Sequence, residues 1–260
     1  MYFQLKITTI IPALNEESAI SDVIHQLKAI QFQHKPLIDQ IIVCDNGSTD
    51  KTINIAKACG VDVISEPRQG YGAACLKGIS IVKNSDILLF LNSDGSEKIS
   101  EALQLLDTLY QQEADLVIGS RELGNIEKHA LSPQQRFGNK LASWIIRSIW
   151  GYPITDLGPF RAIRYEAYLK LNMQDQDYGW TIEMQLKAFR RGLNVIEIPI
   201  TALPGKTPSI ISGTLKGIIG AAIKILGGIF FYGICDNVNH KNHNYNSQHM
   251  ANSPVKSTDL

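Results

Sequence analysis

The sequence predicts an α/β fold with a mostly parallel central sheet flanked by helices. Two observations carry that prediction. Through residues 7–119, short apolar β-branched runs alternate with segments of helical spacing, joined by short links. The polar clusters then fall where those runs end. Strands joined by helical crossovers lie parallel with helices on both faces, and such a sheet takes ligands at the carboxyl ends of its strands.

Residues 7–11 form an uninterrupted β-branched run, the pattern of a strand buried on both faces, and Pro12 ends it. Residues 18–30 place Ile20, Val23, Ile24 and Leu27 on one helical face. Residues 38–44 are a second buried strand. The turn Asp45-Asn46-Gly47-Ser48-Thr49-Asp50 follows, with Ser48 or Thr49 as cap of a helix running to Cys59. A third strand is expected over 61–65, a helix over 71–83, a fourth strand over 86–91, a helix over 100–112 and a fifth strand over 115–119. Beyond these the pattern loosens. Residues 134–150 are helical, with Phe137, Leu141, Trp144, Ile145 and Ile149 along a stripe. Residues 154–164 are strand-like with a Gly-Pro interruption, 180–191 helical and 194–200 a strand.

Length and charge narrow the function classes. A chain of 260 residues fits one large domain or one domain with an appendage. Its 25 basic and 25 acidic residues create no bulk field that would recruit nucleic acid. Cys44, Cys59, Cys75 and Cys235 make no C-x-x-C pair and no zinc spacing, which fits a reducing, cytoplasmic compartment. The apolar run 7–14 is too short for a signal peptide and meets Asn15-Glu16-Glu17 at once.

Asn92-Ser93-Asp94-Gly95-Ser96 closes the fourth strand. A leaving diphosphate needs a divalent cation to offset its developing charge, and Mg²⁺ or Mn²⁺ takes oxygen ligands. Asp94, Asn92 and Ser96 offer two or three such oxygens on one side of a loop, although an Asx-rich turn after a buried strand accounts for the same residues. Asp45, at the end of the second strand, is placed to accept hydrogen bonds from a base and a ribose; a capping turn explains it equally well. Pro12 to Glu16 expose backbone where a nucleotide can lie, and Glu16 also suits a helix start electrostatically. Gly70-Tyr71-Gly72 supports close backbone approach only, because it lacks the phosphate-loop patterns.

Taken in order, Pro-x-x-Asn-Glu, Asp-Asn-Gly-Ser-Thr-Asp, Gly-x-Gly-x-Ala and x-x-Asp-Gly resemble the motifs of family 2 glycosyltransferases with the GT-A fold. Gly119-Ser120-Arg121, the helix with Arg136, Thr155-Asp156-Leu157-Gly158-Pro159-Phe160-Arg161 and Tyr178-Gly179-Trp180-Thr181-Ile182-Glu183 resemble the dolichyl-phosphate-mannose-synthase-like branch. The resemblance covers residues 5–215. It implies inverting transfer from a nucleotide diphospho-sugar. Pro12, Leu14, Glu16 and Asp45 match nucleoside-binding positions, and Asn92-Ser93-Asp94 matches the D-x-D metal motif with Ser96 as a further ligand. Arg121 and Arg136 match positions that hold phosphate of donor or acceptor. Asp94 then carries the cation on which catalysis depends, while Asn92 replaces the motif's first carboxylate and weakens the site. If the acceptor is a hydroxyl, a carboxylate must take its proton. Glu183 is expected as that base, with Asp156 orienting substrate, although a loop anchor and a first-turn helix acid are the plainer roles for the two.

The expected organisation is a glycosyltransferase domain over 1–214, an apolar helix over 215–235 that contacts a membrane interface or a second subunit, and a disordered polar tail over 236–260. The longest uncharged part of that helix, 225–235, is too short to span a bilayer. The expected partners are a UDP- or GDP-sugar and a polyprenyl-phosphate or other lipid-like acceptor, met at the cytoplasmic face of a membrane. Two other functions fit the same motifs: transfer to a small soluble hydroxyl acceptor, and nucleotide-sugar binding without catalysis.

Overall fold

The computed structural model describes residues 5–207 and Gly227. The expected helix over 215–235, apart from Gly227, and the tail over 236–260 lie outside the described residues. In chain order the elements are β1 (Ile7–Ala13), α1 (Ile20–Ala29), β2 (Gln31–Phe32), β3 (Lys35–Pro36), β4 (Gln40–Asp45), α2 (Thr52–Ala58), β5 (Asp62–Ser65), α3 (Tyr71–Ile79), β6 (Ile87–Phe90), α4 (Ala102–Gln111), β7 (Leu116–Ile126), α5 (Pro133–Trp150), β8 (Arg161–Arg164), α6 (Tyr165–Leu171), α7 (Trp180–Arg190) and β9 (Val195–Ala202). The seven-stranded sheet has the order β5-β4-β1-β6-β8-β7-β9. Its first four strands are parallel, as the alternation requires. β8 enters antiparallel to both β6 and β7, and β9 pairs parallel with β7.

Successive strand residues point to opposite faces, so each buried strand feeds two cores. Ile7, Ile11, Ile41, Val43, Ile87, Leu89 and Val117 pack against Ile20, Val23, Ile24 and Leu27 of α1 and Leu105, Leu106 and Leu109 of α4. Ile10, Ile42, Leu88, Phe90, Leu116 and Ile118 face Cys75 and Ile79 of α3, Leu171 of α6, and Trp180 and Met184 of α7. A smaller core joins Ala142 and Ile146 of α5 to Ile182 and Leu186 of α7.

Several expectations are corrected. Neither Ser48 nor Thr49 caps α2: the Thr52 N–H donates to Asp50 Oδ1 at 2.9 Å, while Ser48 and Thr49 bond Asn15 across the loop. The expected strand over 154–164 shrinks to Arg161–Arg164, because residues 152–159 are irregular. The fifth strand runs on to Ile126, beyond Gly119, since β9 pairs with it past an irregularity between Ser120 and Asn125. The polar residues of that extension hide it from any periodicity test. The helix from Tyr71 ends at Ile79. The small β2–β3 hairpin and α6 had no sequence-based expectation.

α5 begins at a capping box, with Ser132 Oγ accepting from Gln135 N and Gln135 Oε1 accepting from Ser132 N. Its buried residues are Ala142, Ser143 and Ile146. Phe137 at 69%, Trp144 at 61% and Ile149 at 60% exposure face outward with Leu141. Most of the apolar stripe expected on this helix therefore lies on its outer surface.

Gly70 and Gly72 let α3 meet the loop before α7. Gly72 N donates to Asp177 O and Ala73 N to Gln176 O. A Cβ at Gly72 would lie 2.2 Å from Asp175 O, and Gly70 also has φ +150°. Gly72→Ala should therefore destabilise the fold by about 1–3 kcal/mol, read as a lowered urea midpoint at unchanged slope.

Candidate active site

Because β4, β1 and β6 are adjacent and parallel, their carboxyl ends bring Asp45, Pro12–Glu16 and Asn92–Asp94 together. Pro12 is buried and Leu14 half-buried. The buried hydroxyl of Ser93 donates to Pro12 O at 2.9 Å, tying the third loop to the first. Asn15 adopts a left-handed φ of 56°. Its N–H donates to Ser48 Oγ and its Oδ1 accepts from Thr49 N. Glu16 N donates to Thr52 Oγ1 at 2.8 Å. Asp45 is 2% exposed and accepts from Gly47 N and Ser48 N. The neighbouring Asn46 side chain bonds Glu66 O, Arg68 O and Gly70 N, holding the Gly70 loop against the end of β4.

The loop after β6 turns through Gly95 at φ +74°, and Asp94 Oδ1 accepts from Ser96 N at 2.9 Å. Asn92, Asp94 and Ser96 are each half-buried. Among the described residues no three His, Cys, Asp or Glu side chains converge to hold a metal ion. This oxygen-only donor set suits a Mg²⁺ or Mn²⁺ that draws its remaining ligands from phosphate and water.

A strap over residues 202–207 crosses this loop. Ala202 forms a β-bridge with Glu97, Leu203 N donates to Ser96 O, and Lys206 N donates to Asp94 O at 2.9 Å. The Lys206 ammonium pairs with Asp22, and the Thr207 hydroxyl donates to Glu16 Oε2. Burial raises the Glu16 pKa to about 7, assisted by repulsion from Asp94 and Asp50 and opposed by the Thr207 hydroxyl. Lys206 and Thr207 carried no motif signal, since only the tertiary path of the chain brings them to the strand ends.

Arg121 and Asp156 form a bidentate buried pair. Arg121 Nε and NH2 donate to the Asp156 carboxylate at 2.8 and 2.7 Å, and Arg121 N adds a third bond at 2.7 Å. Asp156 has no exposed surface. Its pKa lies below the ordinary range: the Arg121 charge and the hydrogen bonds from Arg121 and Leu157 outweigh burial, the largest single effect, which acts to raise it. Arg136 lies on the surface, 52% exposed and 3.5 Å from Glu122, the residue next to Arg121. Glu183 is fully buried, and its two oxygens accept from Gln174 N, Asp175 N and Lys187 Nζ, the last at 2.6 Å. That carboxylate pins the loop on which Gly70 and Gly72 pack.

Two buried charged residues had no role assigned from the sequence. Glu97 is 4% exposed, and burial raises its pKa to about 8, with Asp94 adding repulsion and Arg121 opposing. Arg161 has no exposed surface, donates to Thr181 O and Gly158 O, and is lowered to about 10 by burial. Glu97 follows the Asn92–Ser96 loop and Arg161 closes the 155–161 motif, but neither belongs to a metal or nucleotide pattern.

Removing one partner of a buried ion pair costs about 3–5 kcal/mol, so Asp156→Asn should lower the urea-derived stability at neutral pH by that order. A depressed folded pKa stabilises above the ordinary aspartate range and loses that contribution as pH falls through it. Wild type should therefore lose stability on acidification that Asp156→Asn does not lose. Glu16 and Glu97 act with the opposite sign. Their folded forms keep protons that the unfolded chain releases, so their contribution falls as pH rises from 4.5 to about 7 and about 8 respectively, then levels. Glu97→Gln should flatten this decline in urea titrations across that window.

Residues 8–172 match Glycosyl transferase family 2. An uncharacterized glycosyltransferase of Mycobacterium tuberculosis (strain ATCC 25618 / H37Rv) is 33% identical over 221 residues, covering 84% of this chain and 94% of that protein. An undecaprenyl-phosphate mannosyltransferase of Micrococcus luteus is 28% identical over 236 residues, covering 84% and 91%. Among solved structures, glucosyl-3-phosphoglycerate synthase from Mycobacterium tuberculosis, in complex with Mn²⁺, UDP and glucosyl-3-phosphoglycerate, matches with a TM-score of 0.71 at 20% identity. It covers 88% of this chain and 80% of that one, a likeness of fold. With the motifs of β1, β4 and β6 gathered at one edge of a GT-A sheet, this chain belongs to glycosyltransferase family 2.

Proposed function

We propose that this protein is an inverting hexosyltransferase that moves a sugar from a UDP- or GDP-sugar to a polyprenyl phosphate or similar lipid-like acceptor. Pro12, Leu14, Glu16 and Asp45 line the nucleoside. Asn92, Asp94 and Ser96 hold Mg²⁺ or Mn²⁺ against the diphosphate, with Ser93 fixing their loop to Pro12. The cation offsets the charge that develops on the leaving diphosphate. Arg121, clamped by Asp156, presents a fixed positive charge beside this edge, and Arg136 serves phosphate nearer the surface.

The observation that carries the lipid acceptor is the outer face of α5. Phe137, Leu141 and Trp144 recur at helical spacing on it, with Arg136 and Lys140 bound to Glu122, the residue next to Arg121. Aromatic and basic side chains together suit a headgroup layer. No helix among the described residues is long and apolar enough to cross a membrane. We assign α5 a peripheral contact with the cytoplasmic face of a membrane. The hydrogen bonds of Asp156 and Glu183 agree with this acceptor. Both carboxylates are buried and bonded to protein donors, so we assign them to positioning Arg121 and the 174–175 loop rather than to proton removal. A phosphate acceptor is anionic before it binds and needs little proton removal.

With Mn²⁺ and a panel of nucleotide sugars, the purified protein should release nucleoside diphosphate in the presence of a polyprenyl phosphate. Asp94→Ala and chelator should each reduce this to background; release unchanged by both would overturn the metal assignment. Full activity on a soluble hydroxyl acceptor without lipid would instead favour the soluble-acceptor function.

Co-sedimentation with anionic vesicles should fall at least about tenfold in the Phe137→Ser/Trp144→Ser double variant, since each buried aromatic contributes about 1.5 kcal/mol or more.

A further inference from the structure

Asn92 brings an amide oxygen to the loop after β6 where a carboxylate would bring charge, which leaves Asp94 as the only acid of the tripeptide. Glu97 lies one residue beyond Ser96, buried to 4% exposure. Its backbone is pinned by the bridge to Ala202. The Asn92 backbone and the Ser96 side chain lie close enough to its carboxyl group to favour the ionised form, so it sits against the same turn that carries Asn92 and Asp94. It is near enough to Asp94 to be repelled by it and near enough to Arg121 to be attracted. Oε2 of this buried group has no hydrogen-bond partner among the described residues. A buried polar atom left open in this way calls for a ligand, a water or a counter-ion.

We infer that Glu97, ionised when the cation binds, is the second carboxylate of the cation site, its open oxygen facing the bound cation or a water on it and restoring the negative charge that Asn92 withholds. The inference rests on the proposed role of the Asn92–Ser96 loop in holding Mg²⁺ or Mn²⁺. Two carboxylates with an amide and a hydroxyl form a hard-oxygen set that a donor diphosphate and water complete. A purely structural Glu97 would brace the turn without regard to what stands at residue 92. A charge-supplying Glu97 makes the two positions interchangeable in charge.

The test is calorimetric titration of Mn²⁺ into the UDP-saturated protein, with circular dichroism to establish folding and no need for turnover. Glu97→Gln should weaken Mn²⁺ by about 10–100-fold, with UDP affinity in the absence of metal unchanged. Adding Asn92→Asp to that variant should restore most of the loss. Unchanged Mn²⁺ affinity in Glu97→Gln, or a loss that Asn92→Asp leaves in place, overturns the inference. Should Glu97→Gln not fold, Asn92→Asp alone decides. A gain well under about tenfold supports a charge already supplied by Glu97, and a gain of about tenfold or more overturns it. Asp94→Ala separates the two levels. Loss of Mn²⁺ binding there, with Glu97→Gln unaffected, removes Glu97 alone, whereas Mn²⁺ binding retained in Asp94→Ala removes the cation site itself.

Discussion

The parallel pairing of β1 with β4 on one side and β6 on the other sets the position of the polar loops in this protein. Parallel strands end at the same edge of a sheet, so pairing Ala13 with Asp45 and Ile10 with Phe90 places three polar loops side by side. The hydrophobic alternation of those strands protects that register, because a slip of one residue would turn Ile10 and Ile42 from the α3 side to the α1 side. Cross-loop hydrogen bonds then lock the edge. Ser93 reaches Pro12, Asn15 reaches Ser48 and Thr49, and Asn46 reaches Gly70.

Around that edge the fold places charges in partly or fully buried positions. Arg121 with Asp156, and Glu183 with Lys187, are each held by several hydrogen bonds as well as by their opposite charges. Buried pairs of this kind add little net stability compared with apolar packing, but leaving one partner alone is costly. Their effect is geometric. Arg121 is kept in one orientation beside the strand ends, and the 174–175 loop is kept against Gly70 and Gly72.

The strap over residues 202–207 brings a distant part of the chain onto the same edge. It lies on the backbone of Asp94 and Ser96 and reaches Glu16 through Thr207. Three carboxyl groups, Glu16, Asp94 and Glu97, consequently sit near one another under partial cover, and repulsion from Asp94 helps to raise the pKa of both glutamates.

Local chemistry alone determined a good deal. The β-branched runs, the spacing of Ile20, Val23, Ile24 and Leu27, and the polar residues at the ends of three strands were readable because they depend on side-chain period and on turn preference. Only the tertiary structure decided the rest. The antiparallel β8, the extension of β7 and the outward face of α5 depend on which neighbour each element meets, and no local pattern encodes that. Glu97, Lys206 and Thr207 meet the strand-end loops because the strap folds back across the β6 loop. Arg136 lies on the outer part of α5 and pairs with Glu122, the neighbour of Arg121. Asp156 and Glu183 accept hydrogen bonds from donors that the fold gathers around them. In each case the role was set by the partners a side chain finds across the chain, a property that long-range packing confers and sequence spacing does not.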